Sequence, residues 1–392
     1  MSVSPPTVEE TALPEDLGGE EPSSPPRISW VSILWPILLS LVVLLVIGYL
    51  TFNPDDLREM LHRLNPWLMT AALGSVAARI LFGGWRLYYV SHRSISFTAA
   101  VRGQLAWDFA SNITPSLVGG APLAAFYISR DSKGSSKGQI PVGMVGAWML
   151  FVMILDQIWF ALSVPFVLIA AAFIDVIPAS FGRVGFWTSV VYFIALLIWT
   201  VVFAYATLMR PSLLKKIAER VFRLKVLRRF QKHVAHEMSQ YEHRAKILRT
   251  QPLRFYVTGF LLTMGTWMAR YLLLVLLIWS VVPDLDVLLA FTRTAALTLG
   301  SLILPTPGGA GGVEGLYALF LGPLMPKGMV LPTLIVWRIL AYYFFLASGV
   351  FVTFHTVQKN IRYRRRQKSR LDEARNNGAG ELPSPEQKEP SL

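Results

Sequence analysis

The chain of 392 residues is 53% hydrophobic and only 16% charged, which is more apolar surface than the core of one soluble domain can bury. It contains no cysteine, so disulfides and thiolate metal sites are excluded. Several windows exceed the roughly 20 apolar residues that span a bilayer, and the sequence therefore predicts an all-α, polytopic integral membrane protein.

The net charge of +13 is concentrated in two segments that lie beside apolar spans. Thirteen lysines and arginines fall between Arg210 and Arg254, and seven more fall between Lys359 and Arg370. This distribution is the positive-inside pattern, so we expect both termini in the cytoplasm of a multi-pass protein of the cell (inner) membrane. It argues against nucleic acid as a partner and indicates contact of the basic connector with anionic lipid headgroups.

Hydropathy and charged boundaries divide the chain into a membrane domain and two tails. Residues 1–29 are acidic and rich in proline and serine, which predicts a disordered tail, and 359–392 form a basic, then disordered, cytoplasmic tail. A basic cytoplasmic connector, 209–253, divides the membrane domain at 30–358. We predict six full spans, at 30–52, 66–90, 140–173, 184–208, 254–282 and 329–357.

Two further apolar segments, 101–129 and 287–322, are each broken in the middle by proline and glycine. With the basic segments in the cytoplasm, "RDSKGSSKG" also lies inside, whereas "PDLD" lies outside. The first segment would then enter and return on the cytoplasmic side, and the second on the outer side. These would be two opposed, re-entrant hairpins. Eight conventional crossings would also leave both termini inside, so that alternative stays open.

The two broken segments are preceded by similar motifs. "AARIL" (77–81) comes before "SNITPSLVGGAPLAAFYI" (111–128), and "MARYL" (268–272) comes before "SLILPTPGGAGGVEGLYALF" (301–320). In both cases an Ala-Arg pair inside a span precedes a turn that carries proline and then Gly-Gly-Ala.

The spacing of these motifs is also similar. Arg79 lies 36 residues before Pro115, and Arg270 lies 35 residues before Pro305. Two matched units of opposite orientation, at about 66–173 and 254–357, predict an inverted repeat, which transporters use to form a binding site near the bilayer midplane. Chance is the alternative, because glycine and proline are common in transmembrane helices.

The turn "PTPGGAGG" cannot remain helical, because its prolines lack N–H donors and its glycines permit positive φ. A new helix would begin near Gly312 or Val313, and its N-terminus would favour a phosphate or carboxylate. We interpret the two turns as the halves of an anion cradle; close helix packing through small residues is the alternative. The glycines concerned are Gly119, Gly120, Gly308, Gly309 and Gly311.

Ionisable residues inside spans are costly and point to function. Arg79, Arg270 and Arg338 lie well inside predicted helices, and Arg293 lies in the arm that leads to the second turn. Arginine stays charged and its planar fork suits phosphate, so Arg79 and Arg270 are the best candidates for a phosphate clamp. An internal ion pair or a carbonyl partner is the alternative for each arginine.

The acids available inside the spans are Asp108, Asp156 and Glu314. Glu314 either caps the helix that follows the second turn or binds a cationic headgroup or a coupling proton. Asn112 and Thr114, ahead of the first turn, would supply uncharged hydrogen bonds. The sequence shows no metal-ligand, nucleotide-binding or catalytic constellation, so we expect no cofactor and no enzymatic activity.

"NITPSLVGGAPLAAFYISR" and "LPTPGGAGGVEG" resemble the two motifs of the lysylphosphatidylglycerol synthase transmembrane region, also called the flippase-like or UPF0104 family. The resemblance covers about 30–360 and implies a lipid-handling protein. In bifunctional members a separate soluble domain makes the aminoacylated lipid; here about 35 residues follow the last predicted span, so synthase activity is not expected. The motif positions are Asn112, Pro115, Gly119, Gly120, Pro305, Pro307, Gly308, Gly309, Gly311 and Glu314.

The leading hypothesis is therefore a flippase for a phosphate-bearing phospholipid or polyprenyl-linked glycolipid. The headgroup phosphate would bind between the opposed turns, near Arg79 and Arg270. The alternatives are a membrane-embedded enzyme that modifies a lipid headgroup and a non-catalytic lipid-binding scaffold. The oligomeric state stays open, with a homo-oligomer among the partners considered.

Overall fold

The computed structural model describes residues 53–113, 142–178, 182–205, 250–302 and 306–352, with Leu304 and single residues between 38 and 49 and between 124 and 140. Regular structure in these residues is helical, as predicted. The α-helices are α1 (Pro54–Arg63), α2 (Pro66–Val90), α3 (Phe97–Ile113), α4 (Val142–Phe173), α5 (Gly182–Ala204), α6 (Leu253–Trp279), α7 (Val287–Ser301), α8 (Gly312–Phe320) and α9 (Lys327–Arg338). A π-helical segment, Ile339–Tyr343, continues α9 into a longer helix that reaches Val352.

Five described helices are long and apolar enough to cross a membrane, at Pro66–Val90, Gly143–Phe173, Gly185–Val202, Leu253–Trp279 and Lys327–Val352. They confirm, as apolar helices, five of the six predicted spans. The protein is thus an all-α, multi-pass membrane protein. The predicted span 30–52, both predicted tails and nearly all of the connector 209–253 lie outside the described residues.

One sequence-based boundary was wrong because a local helix cap was missed. The first broken segment becomes helical at Phe97 rather than at 101, since the Ser96 hydroxyl accepts the N–H of Ala99 at 3.2 Å. The stretch before the second predicted span also forms a helix, α1. Its Asn53 side chain accepts a backbone N–H, and Pro54 occupies the first helical position.

An antiparallel pair of long helices, α2 and α6, forms the centre of the packing. At one end of the pair, the Asn65 N–H donates to the Ser280 carbonyl at 2.7 Å. At the other end, the rings of Tyr89 and Phe255 stack with their centroids 5.3 Å apart. This pairing brings the middle of α2 beside the middle of α6. Helix α3 packs against α2, and α4 contacts both members of the pair.

The second broken segment is a helical hairpin formed by α7, a 3₁₀ turn at Pro307–Gly309, and α8. The end of α3 contacts this turn, and Phe109 and Ile113 pack there against Tyr342 of the π-helical segment. The first broken segment therefore reaches the tip of the second. Its own turn lies outside the described residues, so the opposed re-entrant arrangement and the inverted repeat stay predictions.

Candidate functional site

Arg79 is buried in the middle of α2, where it pairs with a carboxylate from α3. Its Nη2 lies 2.6 Å from Oδ1 of Asp108, and Gln104 donates to the other Asp108 oxygen at 3.1 Å. The Arg79 guanidinium also lies over the ring of Phe345, 4.0 Å from the centroid. Arg79 was predicted either to clamp a phosphate or to form an internal ion pair, and in the structure it forms the ion pair.

This pairing depends on the close approach of α2 and α3 at Gly83. A Cβ atom at that position would lie 2.6 Å from Cδ of Gln104, so a side chain there would displace the Gln104 amide. Because glycine leaves this space to Gln104, the amide can reach Asp108, four residues further along α3. A glycine of α2 thus helps to position the partner of Arg79.

Arg86 is a buried charge that the sequence analysis did not single out. Its Nη1 lies 2.5 Å from Oδ1 of Asp156 on α4, and the Trp267 indole of α6 donates to the same oxygen at 2.8 Å. Arg86 follows Arg79 by seven residues, which is close to two helical turns. The seven-residue spacing could have identified Arg86 from the sequence, because it places both arginines on one face of α2.

Arg270 differs from the other two arginines because it has no acidic partner among the described residues. Within the described part of the chain it makes no hydrogen bond or ion pair, and its guanidinium lies 5.0 Å from the ring centroid of Trp267. It lies close enough to Arg79, Asp108 and Asp156 to interact with all three electrostatically. The side chain is deep in the protein, yet part of its surface stays accessible. Arg270 is therefore an internal cation without an ion-pair partner among the described residues.

These five residues form a group that we call the charge cluster: Arg79, Arg86, Arg270, Asp108 and Asp156. Three guanidinium groups face two carboxylates, so one positive charge in the cluster has no counter-charge among its members. An isolated charge inside a membrane domain is strongly disfavoured, because protein and lipid solvate it poorly. The cluster can therefore accept one anion, and the geometry places the available charge at Arg270.

The second turn already holds an anion from the chain itself. Glu314 is fully buried, and its Oε2 accepts the Gly311 N–H at 2.8 Å. Its Oε1 lies 2.6 Å from Nη2 of Arg338, an ion pair whose angles fall outside hydrogen-bond geometry. Arg338 also donates to the Gly308 carbonyl at 3.3 Å. Helix α8 begins at Gly312 as predicted, and its N-terminus is occupied by the capping carboxylate rather than left open for a ligand.

The glycines of this turn are required by its backbone. Gly308, Gly309 and Gly311 have φ values of 59°, 68° and 88°, which side-chain-bearing residues rarely adopt. A Cβ atom at Gly308 would also lie 2.2 Å from Cε2 of Tyr342. Together with Arg338, Tyr342 holds the turn against the longer helix that α9 begins. The turn is therefore a braced structural element.

The remaining predicted residues have different environments. Arg293 donates to the backbone carbonyl of Asp175, at 2.7 and 3.1 Å, and to that of Phe320, at 3.1 Å. For this arginine the structure therefore shows carbonyl partners, one of the alternatives that the sequence left open. Asn112 lies in the last turn of α3 and is partly buried. Within the described ranges no three His, Asp or Glu side chains could hold a metal ion. Thr114, Pro115, Gly119, Gly120 and Pro305 lie outside the described residues.

Comparison with known proteins links these features to one family. The family model of the lysylphosphatidylglycerol synthase TM region matches residues 33–349. A UPF0104 membrane protein from Archaeoglobus fulgidus is 25% identical over 264 residues, which cover 65% of this chain and 75% of that protein. The family match includes the charge cluster and both broken segments.

Proposed function

Because the chain belongs to the lysylphosphatidylglycerol synthase transmembrane family, we propose that it moves a phosphate-bearing lipid between the leaflets of the cell membrane. Family membership indicates a lipid-related role in the membrane, and the charge cluster supports the finer statement. The lipid would be a phospholipid or a polyprenyl-linked glycolipid. The observation that carries the proposal is Arg270, an internal guanidinium without an acidic or hydrogen-bonding partner in the described part of the chain.

Arg270 has the chemistry that a lipid phosphate requires. Its guanidinium keeps its charge at every working pH and offers a planar fork of N–H donors that matches two phosphate oxygens. A bound phosphate would supply the counter-charge that the cluster lacks. Lipid binding would thereby lower the electrostatic cost of placing this arginine at membrane depth.

Arg79 would strengthen the attraction without being the main contact. It interacts electrostatically with Arg270 but is already held by Asp108 at 2.6 Å. The acyl or prenyl chains would stay in the surrounding lipid, against apolar side chains that face outward. Exposed examples on α5 and α6 are Trp187, Val191, Ile198, Val257 and Leu261.

Transport requires that the phosphate site be reached from each leaflet in turn. The predicted inverted repeat offers a route, since rocking of one half against the other would open the site alternately. Helices α2 and α6 pair in antiparallel fashion across the two predicted halves, and they carry Arg79 and Arg270. The sequence has no nucleotide-binding motif, so we expect passive transport or coupling to an ion gradient.

Reconstitution with a fluorescent phosphatidylglycerol tests this proposal. Leaflet exchange is followed by chemical quenching of the outer-leaflet probe, for the wild type, for Arg270→Gln and for Arg183→Gln as a matched control. Arg183 is an exposed arginine at the start of α5, outside the charge cluster. We expect exchange by the wild type and the control, and loss of at least about tenfold in Arg270→Gln, since a charge-assisted contact exceeds the roughly 1.4 kcal/mol that a tenfold change represents.

The same experiment separates the alternatives. Mass spectrometry of the recovered lipid would show a changed molecule if the protein were a headgroup-modifying enzyme. A wild type that exchanges lipid no faster than protein-free vesicles, with each phosphate-bearing lipid tried, would contradict transport and favour a scaffold. Equal exchange by wild type and Arg270→Gln would remove Arg270 from the site.

A further inference from the structure

Asp108 is the carboxylate that pairs with Arg79, and both members of this pair interact electrostatically with Arg270. Its carboxylate is held from two sides, by Arg79 at 2.6 Å and by Gln104 at 3.1 Å, and its side chain keeps 13% of its surface exposed. Arg270 is within electrostatic reach of both members of the ion pair. A phosphate at Arg270 would therefore be near a second arginine whose charge is already claimed by a carboxylate.

The α3 face that carries Asp108 continues toward the hairpin tip with another polar group. Ser111 lies one turn further along, on the same face, and its hydroxyl is buried without a hydrogen-bond partner among the residues that the structure describes. An unpaired buried hydroxyl is costly, and a ligand oxygen would satisfy it. Asp108 thus lies between the arginines and an unused donor.

The charge count gives Asp108 a specific consequence. With both acids ionised, the cluster has an excess of one positive charge, which one phosphodiester neutralises. A phosphomonoester carries about 1.5 to 2 negative charges near pH 7 and would leave the site with uncompensated negative charge. Without Asp108 the excess would be two positive charges on the neighbouring arginines Arg79 and Arg270, and this local balance would favour the monoester.

We infer that Asp108 determines the specificity of the proposed site: it competes with the lipid phosphate for Arg79 and restricts the site to phosphate groups that carry a single negative charge. This inference rests on the proposed function and deepens it by naming phosphodiester lipids as the substrate class. Asp108 would also favour release of the lipid, because its carboxylate forms the ion pair with Arg79 again when the phosphate leaves.

The test compares two soluble short-chain lipids on the purified full-length protein in mild detergent. Dihexanoyl phosphatidylglycerol is the phosphodiester, dihexanoyl phosphatidic acid is the phosphomonoester, and the quantity measured is the ratio of their dissociation constants. The wild type should prefer the phosphodiester. In Asp108→Asn the ratio should move toward the monoester by roughly tenfold or more, because one unit charge at contact distance in a partly dry site outweighs such a factor. The phosphodiester itself should also bind more tightly.

Asp156→Asn is the matched control, because it removes the same charge from the partner of Arg86. We expect a smaller change in the ratio, since Asp156 pairs with Arg86 rather than with Arg79 and acts less strongly on Arg270 than Asp108 does. A folded Asp108→Asn protein with the wild-type ratio, or with weaker binding of both lipids, would overturn the inference. An equal shift in Asp156→Asn would also overturn it, because total charge and not competition for Arg79 would then decide.

The double variant Asp108→Asn/Arg79→Gln keeps the inference testable if Asp108→Asn does not fold. It leaves no unpaired partner and returns the cluster to an excess of one positive charge, so the preference for phosphatidylglycerol should return. A preference of the double variant for phosphatidic acid would contradict the inference. Failure of the wild type to bind either lipid would instead count against the proposed function, so the two failures are distinguishable.

Discussion

Arg79 and Arg270 lie within electrostatic reach of each other on the antiparallel helices α2 and α6, yet only Arg79 has a carboxylate partner in the described residues. Like charges at such proximity raise the energy of the folded state unless a counter-charge is present. Asp108 pairs with Arg79, and the cluster keeps one positive charge without a counter-charge among its members. The difference between the two arginines yields predictions about stability as well as binding.

Removal of the two arginines should change stability in opposite directions. Arg270→Met removes an internal charge and loses no partner, so the unfolding temperature should stay unchanged or rise. Arg79→Met removes the 2.6 Å ion-pair partner of the half-buried Asp108, which keeps only the Gln104 hydrogen bond, and it should lower the free energy of unfolding by roughly 1–3 kcal/mol. Thermal unfolding in lipid-free detergent micelles measures both effects. Equal destabilisation by the two substitutions would show that Arg270 has a structural partner.

The pair Glu314–Arg338 should behave as a coupled structural unit. Glu314→Gln or Arg338→Met leaves the other group buried without its counter-charge, and each should cost about 3–5 kcal/mol of unfolding free energy. The double variant should recover part of this loss, and a double-mutant cycle measures the coupling. Additive single effects would show that the 2.6 Å contact contributes little.

Gly308→Ala should disrupt the second turn. The residue has a φ of 59°, and the new Cβ would lie 2.2 Å from Cε2 of Tyr342. We expect a loss of at least about 1–3 kcal/mol of unfolding free energy, from backbone strain alone. Gly315→Ala is the matched control, since a Cβ in α8 at that position meets no atom within 4 Å and alanine favours helix. Equal behaviour of the two variants in thermal unfolding would argue against a braced turn.

Labelling of single cysteines can test the predicted orientation, because the natural chain has none. Ser94→Cys, after α2, should react with a membrane-impermeant maleimide only from the cytoplasmic side. Asp284→Cys, after α6, should react only from the outside. The reagent is applied to intact cells and to inverted membrane vesicles. Reaction of both positions from one side would contradict the antiparallel crossing of α2 and α6, and a reversed result would invert the topology.

Local chemistry was enough to predict several elements from the sequence. The bounds of α2 at Pro66–Val90 coincide with the predicted span, because proline starts the helix and the apolar run continues to the polar "SHRS". The start of α8 follows from the glycines of the turn and from the capping position of Glu314. These features depend on residues within a few positions of one another. A helix start that no change in hydropathy marks, such as the one capped by Ser96, was missed.

Only the tertiary structure decided which charges pair. Arg79 and Asp108 are 29 residues apart, and Arg86 and Asp156 are 70 apart, so no local periodicity could join them. The sequence supplied three internal arginines and three acids as candidates, with Arg86 unnoticed. Helix packing then assigned a carboxylate to Arg79, Arg86 and Arg338 and none, in the described residues, to Arg270. The sequence thus determined the charged side chains placed in the membrane domain, whereas packing determined which described arginines have a carboxylate partner, because an ion pair needs both groups within contact distance.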